Sequence, residues 1–327
     1  MTTVAPRVSR RDDERYRAAE RDVWALHGMA PVERWIEVPD YGIRVRVLEH
    51  GEGRPVVFVH GNPTAGNVFV PLVAALPGVR AIVVDRPGCG LSEALDYSQM
   101  TPEDLRRAIT TYVAAVIEGL VGGPAHLLGN SAGGGTVLVA AARLPDLVES
   151  VVIEGVPAVR GMRLPRELRL TALTPVARVV AAHKVNEADL RRSFRAMGHG
   201  DLLEAGGPPA AELAWRMALS RYTDTYWHEL SLIRRTATWR GLRPDWVAGK
   251  ETLEALRMPS LWIVGDRDPF ARPERVRAWA RHARDSTVHV MEGSGHQPWL
   301  DDPARHAHLI TRWWDPGPSG PQQPTVA

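Results

Sequence analysis

The chain has 327 residues, 44% hydrophobic and 24% charged, with a formal net charge of +2 and one cysteine. That length suits one large α/β domain with an insertion, or two domains; the charge is too small to argue for nucleic acid, and Cys89 alone allows neither an intrachain disulfide nor a cysteine-cluster metal site. No apolar run reaches the roughly 18 residues of a membrane span and the N-terminus lacks the apolar stretch of a secretory signal, so a soluble, cytoplasmic protein with no membrane partner is expected.

Residues 1 to 9 and the tail "PGPSGPQQPTVA" from 316 are small, polar or Pro/Gly-rich and are expected to be disordered. Residues 10 to 28 are charged, with spaced apolar positions at Tyr16, Val23, Trp24 and Leu26, which predicts an amphipathic helix lying on the domain. "RWIEV" and "IRVRVLEH" alternate and predict an antiparallel pair joined at "PDYG". "PVVFVH" and "AIVVD" are continuous β-branched runs, as strands buried on both faces require. Thr101, Pro102 and the acidic residues after them mark a helix start. Strand "AHLLG", a small-residue helix after Ser131 and strand "SVVIEG" continue the alternation, which implies a parallel sheet with crossover helices. From Pro157 to about 250 no strand-like run appears; the segment predicts several inserted helices. The α/β rhythm returns with "SLWIVG", "RPERVRAWARHA", "TVHVM" and a last helix over 302 to 314.

The division that follows is an N-terminal extension (1–30), a first core part (31–156), a helical insertion (157–250), a second core part (251–315) and a tail (316–327). The positive residues are arginine except Lys184 and Lys250, a bias that runs with the many Ala, Gly and Pro and reads as genome composition rather than a binding surface.

Three stretches fall beyond the carboxyl ends of strands, where open α/β sheets bind ligands. Ser131 sits in "GNSAG", Asp266 and Asp268 in "VGDRDPF", and His296 in "GSGHQPW". A serine hydroxyl needs a base to act as a nucleophile at neutral pH. Histidine has the right proton affinity, and a carboxylate fixes its tautomer. Gly129 and Gly133 allow a sharp strand-to-helix turn that lifts the serine toward a pocket. Backbone N–H groups of Asn62, in "HGNPTAG", and Ala132 are the expected oxyanion donors. Other readings of single residues stand beside these: Ser131 as a packing residue, Glu154 as a displaced acid, His60 as structural, and Cys89 as a small packing residue rather than a second nucleophile. His199 and His228 read as surface or packing residues.

Over residues 30 to 315 the chain resembles the α/β-hydrolase fold superfamily, on "HGNP", "DRPGCGLS", "GNSAGG", "GDRD" and "GSGH" in that order. The resemblance implies a mostly parallel eight-stranded sheet with an inserted helical cap, and a Ser-His-Asp triad of Ser131, His296 and Asp268. It favours the second carboxylate of "GDRD" as the acid, with Asp266 capping the turn. It implies no cofactor and no metal. Proteins resembling haloalkane dehalogenases share "HGNPT" but use an aspartate nucleophile followed by tryptophan; here Ser131 and Ala132 stand at those positions, which also removes soluble epoxide hydrolases. The Gly-Gly-Pro-Gly type loop of proline-iminopeptidase-like enzymes is absent. "GNS" with further glycines resembles meta-cleavage C–C hydrolases, which follow the histidine with tryptophan; here Gln297 follows.

The expected function is therefore serine hydrolysis of an ester, thioester or lactone of a small hydrophobic or aromatic molecule. C–C hydrolysis is the alternative, and a small-molecule receptor or a non-hydrolytic acyltransferase or cyclase is the alternative from another class. In the insertion, Trp215, Met217, Tyr222, Tyr226 and Trp227 cluster; Trp215, Tyr222, Tyr226 and Trp227 are candidates for lining the substrate pocket, against the plainer reading that they pack the cap onto the core. Nothing in the sequence speaks to oligomeric state.

Overall fold

The computed structural model describes residues 12–316. The stretches expected to be disordered lie outside these residues, apart from Pro316. Eight strands form one sheet: β1 (Val32–Val38), β2 (Ile43–His50), β3 (Arg54–Val59), β4 (Val79–Val84), β5 (Ala125–Asn130), β6 (Val148–Glu154), and, after the insertion, β9 (Ser260–Gly265) and β10 (Ser286–Met291). Between them β7 (Ala237–Thr238) and β8 (Gly241–Leu242) make a separate two-stranded ribbon, which the pattern of the insertion did not suggest. The sheet order is β1-β2-β4-β3-β5-β6-β9-β10. Only the pairings of β2, with β1 and β4, are antiparallel. The sheet is therefore mostly parallel, with β1 and β2 joined at Pro39–Tyr41 as the alternation predicted.

Helices cover both faces, and each face has its own apolar core. That is why β3, β4, β5 and β9 read as unbroken apolar runs: Val56 to Val59 are all fully buried, with alternate side chains entering opposite cores. The helix Pro102–Leu120 starts where Thr101 caps it. The Thr101 hydroxyl accepts from the Asp104 N–H while the Asp104 carboxylate accepts from the Thr101 N–H, a reciprocal capping box.

The segment between β6 and β9 carries the helices Arg166–Leu170, Thr174–Ala182, Glu187–Ala196, Gly200–Glu204, Ala210–Tyr222 and Thr225–Thr236. The N-terminal helix Asp13–Leu26 ties this insertion to the sheet. Its inward face is Tyr16, Glu20, Val23 and Trp24, a spacing that puts all four on one side of a helix. Trp215 Nε1, from Ala210–Tyr222, donates to the Tyr16 hydroxyl at 3.1 Å. Toward the sheet, Arg46 of β2 donates to Glu20 at 2.7 Å, to Glu33 at 2.8 Å and to Asp85 at 3.1 Å. Burial pushes the Glu20 carboxyl up to about 7, against the pull of Arg46. Among the described residues no helix is long and apolar enough to cross a membrane.

Candidate active site

Ser131 stands between the end of β5 and the first residue of the helix Ala132–Arg143. Its backbone is at φ 56°, ψ −115°, and among the described residues it alone has a positive φ without being glycine. Such a conformation costs on the order of 1–3 kcal/mol and persists only where its surroundings impose it. Two glycines make room for it. A Cβ on Gly129 would lie 2.5 Å from the Gly133 carbonyl oxygen, and one on Gly133 would lie 1.9 Å from the Val59 carbonyl oxygen. The helix thus begins against the backbone of β3, with Ser131 raised at its N-terminus. The Ala132 N–H is among the first-turn groups that lack an intrahelical acceptor.

Beyond β9, Asp268 is buried and Asp266 is exposed. The Asp268 Oδ2 lies 2.7 Å from His296 Nδ1 and accepts the Val156 N–H at 2.9 Å, while its Oδ1 accepts the Phe270 N–H at 2.9 Å. The carboxylate is thus oriented by two backbone donors, and it holds the proton of His296 on Nδ1, leaving Nε2 without one. Asp266 instead accepts the Gly293 N–H at 2.8 Å and closes the turn. Glu154, the other candidate acid, is fully buried with its carboxylate 2.7 Å from His306 Nε2. Asn130 joins the elbow to the histidine loop: its side-chain amide donates to the Glu154 carbonyl at 2.8 Å and the His296 carbonyl at 3.0 Å.

The loop after β3 is held by residues that were not singled out from the sequence. Arg86 Nη2 donates to the Asn62 side-chain oxygen, to the Gly61 carbonyl at 3.3 Å and to the Glu229 carboxylate at 2.8 Å. Glu229 is fully buried and comes from the cap helix Thr225–Thr236. Arg86 lies inside the "DRPGCG" motif, but its partner is 143 residues away, and no local pattern pairs them. Cys89 donates its thiol hydrogen to Glu229 at 3.1 Å. Burial, with that carboxylate beside it, pushes the thiol well above its ordinary pKa, so Cys89 stays protonated and is a poor nucleophile. His60 accepts the Arg86 N–H on Nε2 at 3.0 Å, so Nδ1 carries the proton toward the Gly61 carbonyl. Burial holds it neutral, with Arg86 adding to the effect.

Ser131, Ala132, His296, Asn62 and Arg86 border one cavity of about 300 Å³, at the lower end of the range for small-molecule sites. The rest of its wall is largely apolar. The core gives Leu105, Ile109, Val139 and Phe270; the cap gives Leu190, Phe194, Met197, Leu219 and Leu232. Of the four aromatic candidates Tyr226 lies on this wall. The other three do not border it. Trp215 is fully buried against Tyr16 and the N-terminal helix. Tyr222 lies under Arg15, whose guanidinium is 5.7 Å from its ring. Trp227 packs on a small cluster of Ala177, Ala181 and Leu230 within the cap. Of the two readings given for His199 and His228, surface or packing, the second holds. His199 is fully buried, and His228 packs its ring 4.7 Å from that of Tyr97. No group of three or more metal-ligating side chains occurs among the described residues.

The family model for the alpha/beta hydrolase fold matches residues 54–303. The chain belongs to the α/β-hydrolase fold family. It is 33% identical over 280 residues to the pimeloyl-[acyl-carrier protein] methyl ester esterase of Xanthomonas oryzae pv. oryzae, covering 80% of this chain and 96% of that protein. Among solved structures it is similar to naproxen esterase (carboxylesterase NP) from Bacillus subtilis, with a TM-score of 0.70 and 18% identity over 95% of this chain and 100% of that one. The meta-cleavage product hydrolase CumD from Pseudomonas fluorescens IP01 superposes with a TM-score of 0.67 and 17% identity, covering 86% and 97% of the two chains. At those identities the two structures share the fold alone and do not choose between ester and C–C cleavage. This α/β-hydrolase is an enzyme of the esterase type.

Proposed function

We propose that this α/β-hydrolase cleaves carboxylic esters that carry an apolar acyl or aryl group, with Ser131 as nucleophile, His296 as base and then acid, and Asp268 as the group that orients it. The observation that carries the reading is that Ser131 and His296 border one cavity whose remaining wall is largely apolar. The Xanthomonas relative is named for a methyl ester of pimeloyl-acyl-carrier protein, and an ester on an extended acyl chain suits such a wall. C–C hydrolysis would need a polar cluster opposite the serine to move protons on a dienol. Both cations at the cavity, Arg86 and Arg216, are engaged, Arg86 by Glu229, Asn62 and Gly61 and Arg216 by Glu212 and the Gln297 side chain, which favours the ester.

In this reading the Ser131 Oγ bonds to the ester carbonyl carbon as His296 Nε2 takes the hydroxyl proton. The carbonyl electron pair moves onto oxygen, where the N–H groups of Asn62 and Ala132 stabilise it. Asp268 stabilises the imidazolium. Collapse breaks the bond to the alkoxy oxygen, which leaves with the proton from His296. Water then repeats the sequence on the acyl-enzyme: His296 takes a proton from water, and returns it to Ser131 as the acid departs.

A series of methyl esters of lengthening acyl chain tests this. The value of kcat/KM should rise about fourfold per methylene, from roughly 0.8 kcal/mol for each one buried, and level off once the cavity is filled. Ser131→Ala should lose several orders of magnitude in turnover, because triad members act as a unit. No hydrolysis of any ester, with fast ketonisation and cleavage of a chromogenic dienol, would assign the C–C reaction instead.

A further inference from the structure

His199 makes a second histidine–carboxylate pair close to that of the proposed triad. Its Nδ1 lies 2.9 Å from Asp301 Oδ2 and 3.0 Å from Oδ1. Its Nε2 accepts the backbone N–H of Gln297, at 3.2 Å. A backbone amide has a proton to give and none to accept, so Nε2 is bare and the ring proton sits on Nδ1, facing the carboxylate. Gln297 is the residue directly after His296.

The neighbouring amides are held from the same side. The His296 N–H donates to the Met197 carbonyl at 2.9 Å, and the Gly295 N–H donates to Asp301 Oδ2 at 2.9 Å. Three consecutive amides centred on His296 are thus fixed by Asp301, Met197 and His199, and two of these three belong to the cap. The contact is tight as well as bonded. A Cβ on Gly295 would lie 2.4 Å from the Met197 carbonyl oxygen and 2.8 Å from His199 Cε1. A Cβ on Gly198 would lie 2.5 Å from the Arg267 carbonyl oxygen, next to Asp268. Cap residues 197–199 therefore rest directly on the loops that carry Asp268 and His296.

We infer that His199, oriented by Asp301, is a positioning residue that sets the backbone of the His296 loop from the cap, so that the reactivity of Ser131 depends on how the cap is seated. The inference rests on the reading of His296 as the base. His199 also borders the cavity, but both its ring nitrogens are engaged, Nδ1 by Asp301 and Nε2 by the Gln297 N–H. It acts through the Gln297 amide, and a displacement of about 1 Å at a base can cost on the order of 100-fold in rate.

The test is the rate of labelling by a fluorophosphonate, read by intact mass, with Ser131→Ala as the blank and with kcat and KM on a short methyl ester measured alongside. His199→Ala should label about 10- to 100-fold more slowly than wild type yet reach the same final occupancy, with kcat reduced in parallel and KM within about twofold. Asp301→Asn should behave alike. Its oxygen stays with the Gly295 N–H, while its amide donor replaces the other acceptor beside Nδ1 and opposes the Nδ1–H that the bond from Gln297 requires. His199→Gln keeps an acceptor near the Nε2 position and should recover most of the rate. Wild-type labelling rates in both His199→Ala and Asp301→Asn would overturn the positioning role while leaving the site reading intact. A wild-type protein that takes no label would overturn both. Should the substitutions prevent folding, ¹⁵N NMR of the wild-type histidines still decides: a neutral His199 with the proton on Nδ1 is required, and the Nε2–H tautomer contradicts the inference.

Discussion

Asp266 and Asp268 are two residues apart, and their surroundings give them different tasks. Asp268 is buried, takes backbone hydrogen bonds from Val156 and Phe270, and meets His296. Asp266 is exposed and accepts one N–H from the Gly293 turn. Asp268→Asn should therefore lower turnover about 10⁴-fold by favouring the wrong histidine tautomer, while Asp266→Asn should cost far less. Steady-state kinetics on one ester compares them, and equal losses would mean that the turn, not the carboxylate, matters. Ser131, Asp268 and His296 were legible as candidates because each lies in a short motif whose glycines and position at a strand end carry the geometry. Arg86–Glu229 and His199–Asp301 were not. Their partners are 143 and 102 residues apart, and in an arginine-rich chain one more arginine marks nothing. An aromatic cluster likewise looks the same whether it lines a cavity, as Tyr226 does, or packs a helix, as Trp215 does.

At the scale of elements, the N-terminal helix shows what periodicity does and does not report. Its inward face was readable from the spacing of Tyr16, Val23 and Trp24, but the same spacing serves any apolar neighbour. That the helix bridges sheet and cap depends on Glu20 meeting Arg46 and Tyr16 meeting Trp215. Three carboxylates, Glu20, Glu33 and Asp85, meet the guanidinium of Arg46, and Arg17 also pairs with Glu33, so the cluster still carries excess negative charge when all are ionised. Burial raises the Glu20 carboxyl to about 7. A folded pKa above the unfolded value, near 4.5, means that the stability this proton brings is complete below about 4.5 and is lost as pH rises through about 7. Urea unfolding of wild type and Glu20→Gln across that window checks it. Wild type should lose stability relative to Glu20→Gln as pH rises, and a constant difference would show that Glu20 does not titrate there. The strands buried on both faces were readable for a plain reason: two cores demand apolar side chains at every position. The β7–β8 ribbon was not, since two residues per strand leave no pattern.

The whole molecule is a sheet domain and a helical insertion whose contacts converge on the loops around Ser131. Glu229 of the cap reaches the Asn62 loop through Arg86, Met197 and His199 hold the His296 loop, and the N-terminal helix joins cap to sheet from outside. Motif order made the sheet legible from sequence. How the inserted helices lie on the core was not, because that depends on side-chain pairs brought together only by the fold. We propose Ser131, activated by His296, as the nucleophile. The most direct measurement is peptide mapping of the fluorophosphonate adduct on the whole protein. One adduct is expected, on Ser131, absent from Ser131→Ala, much slower to form in His296→Ala and unchanged in Cys89→Ala. An adduct on any other residue, or a Ser131→Ala protein that keeps wild-type ester turnover, would contradict it.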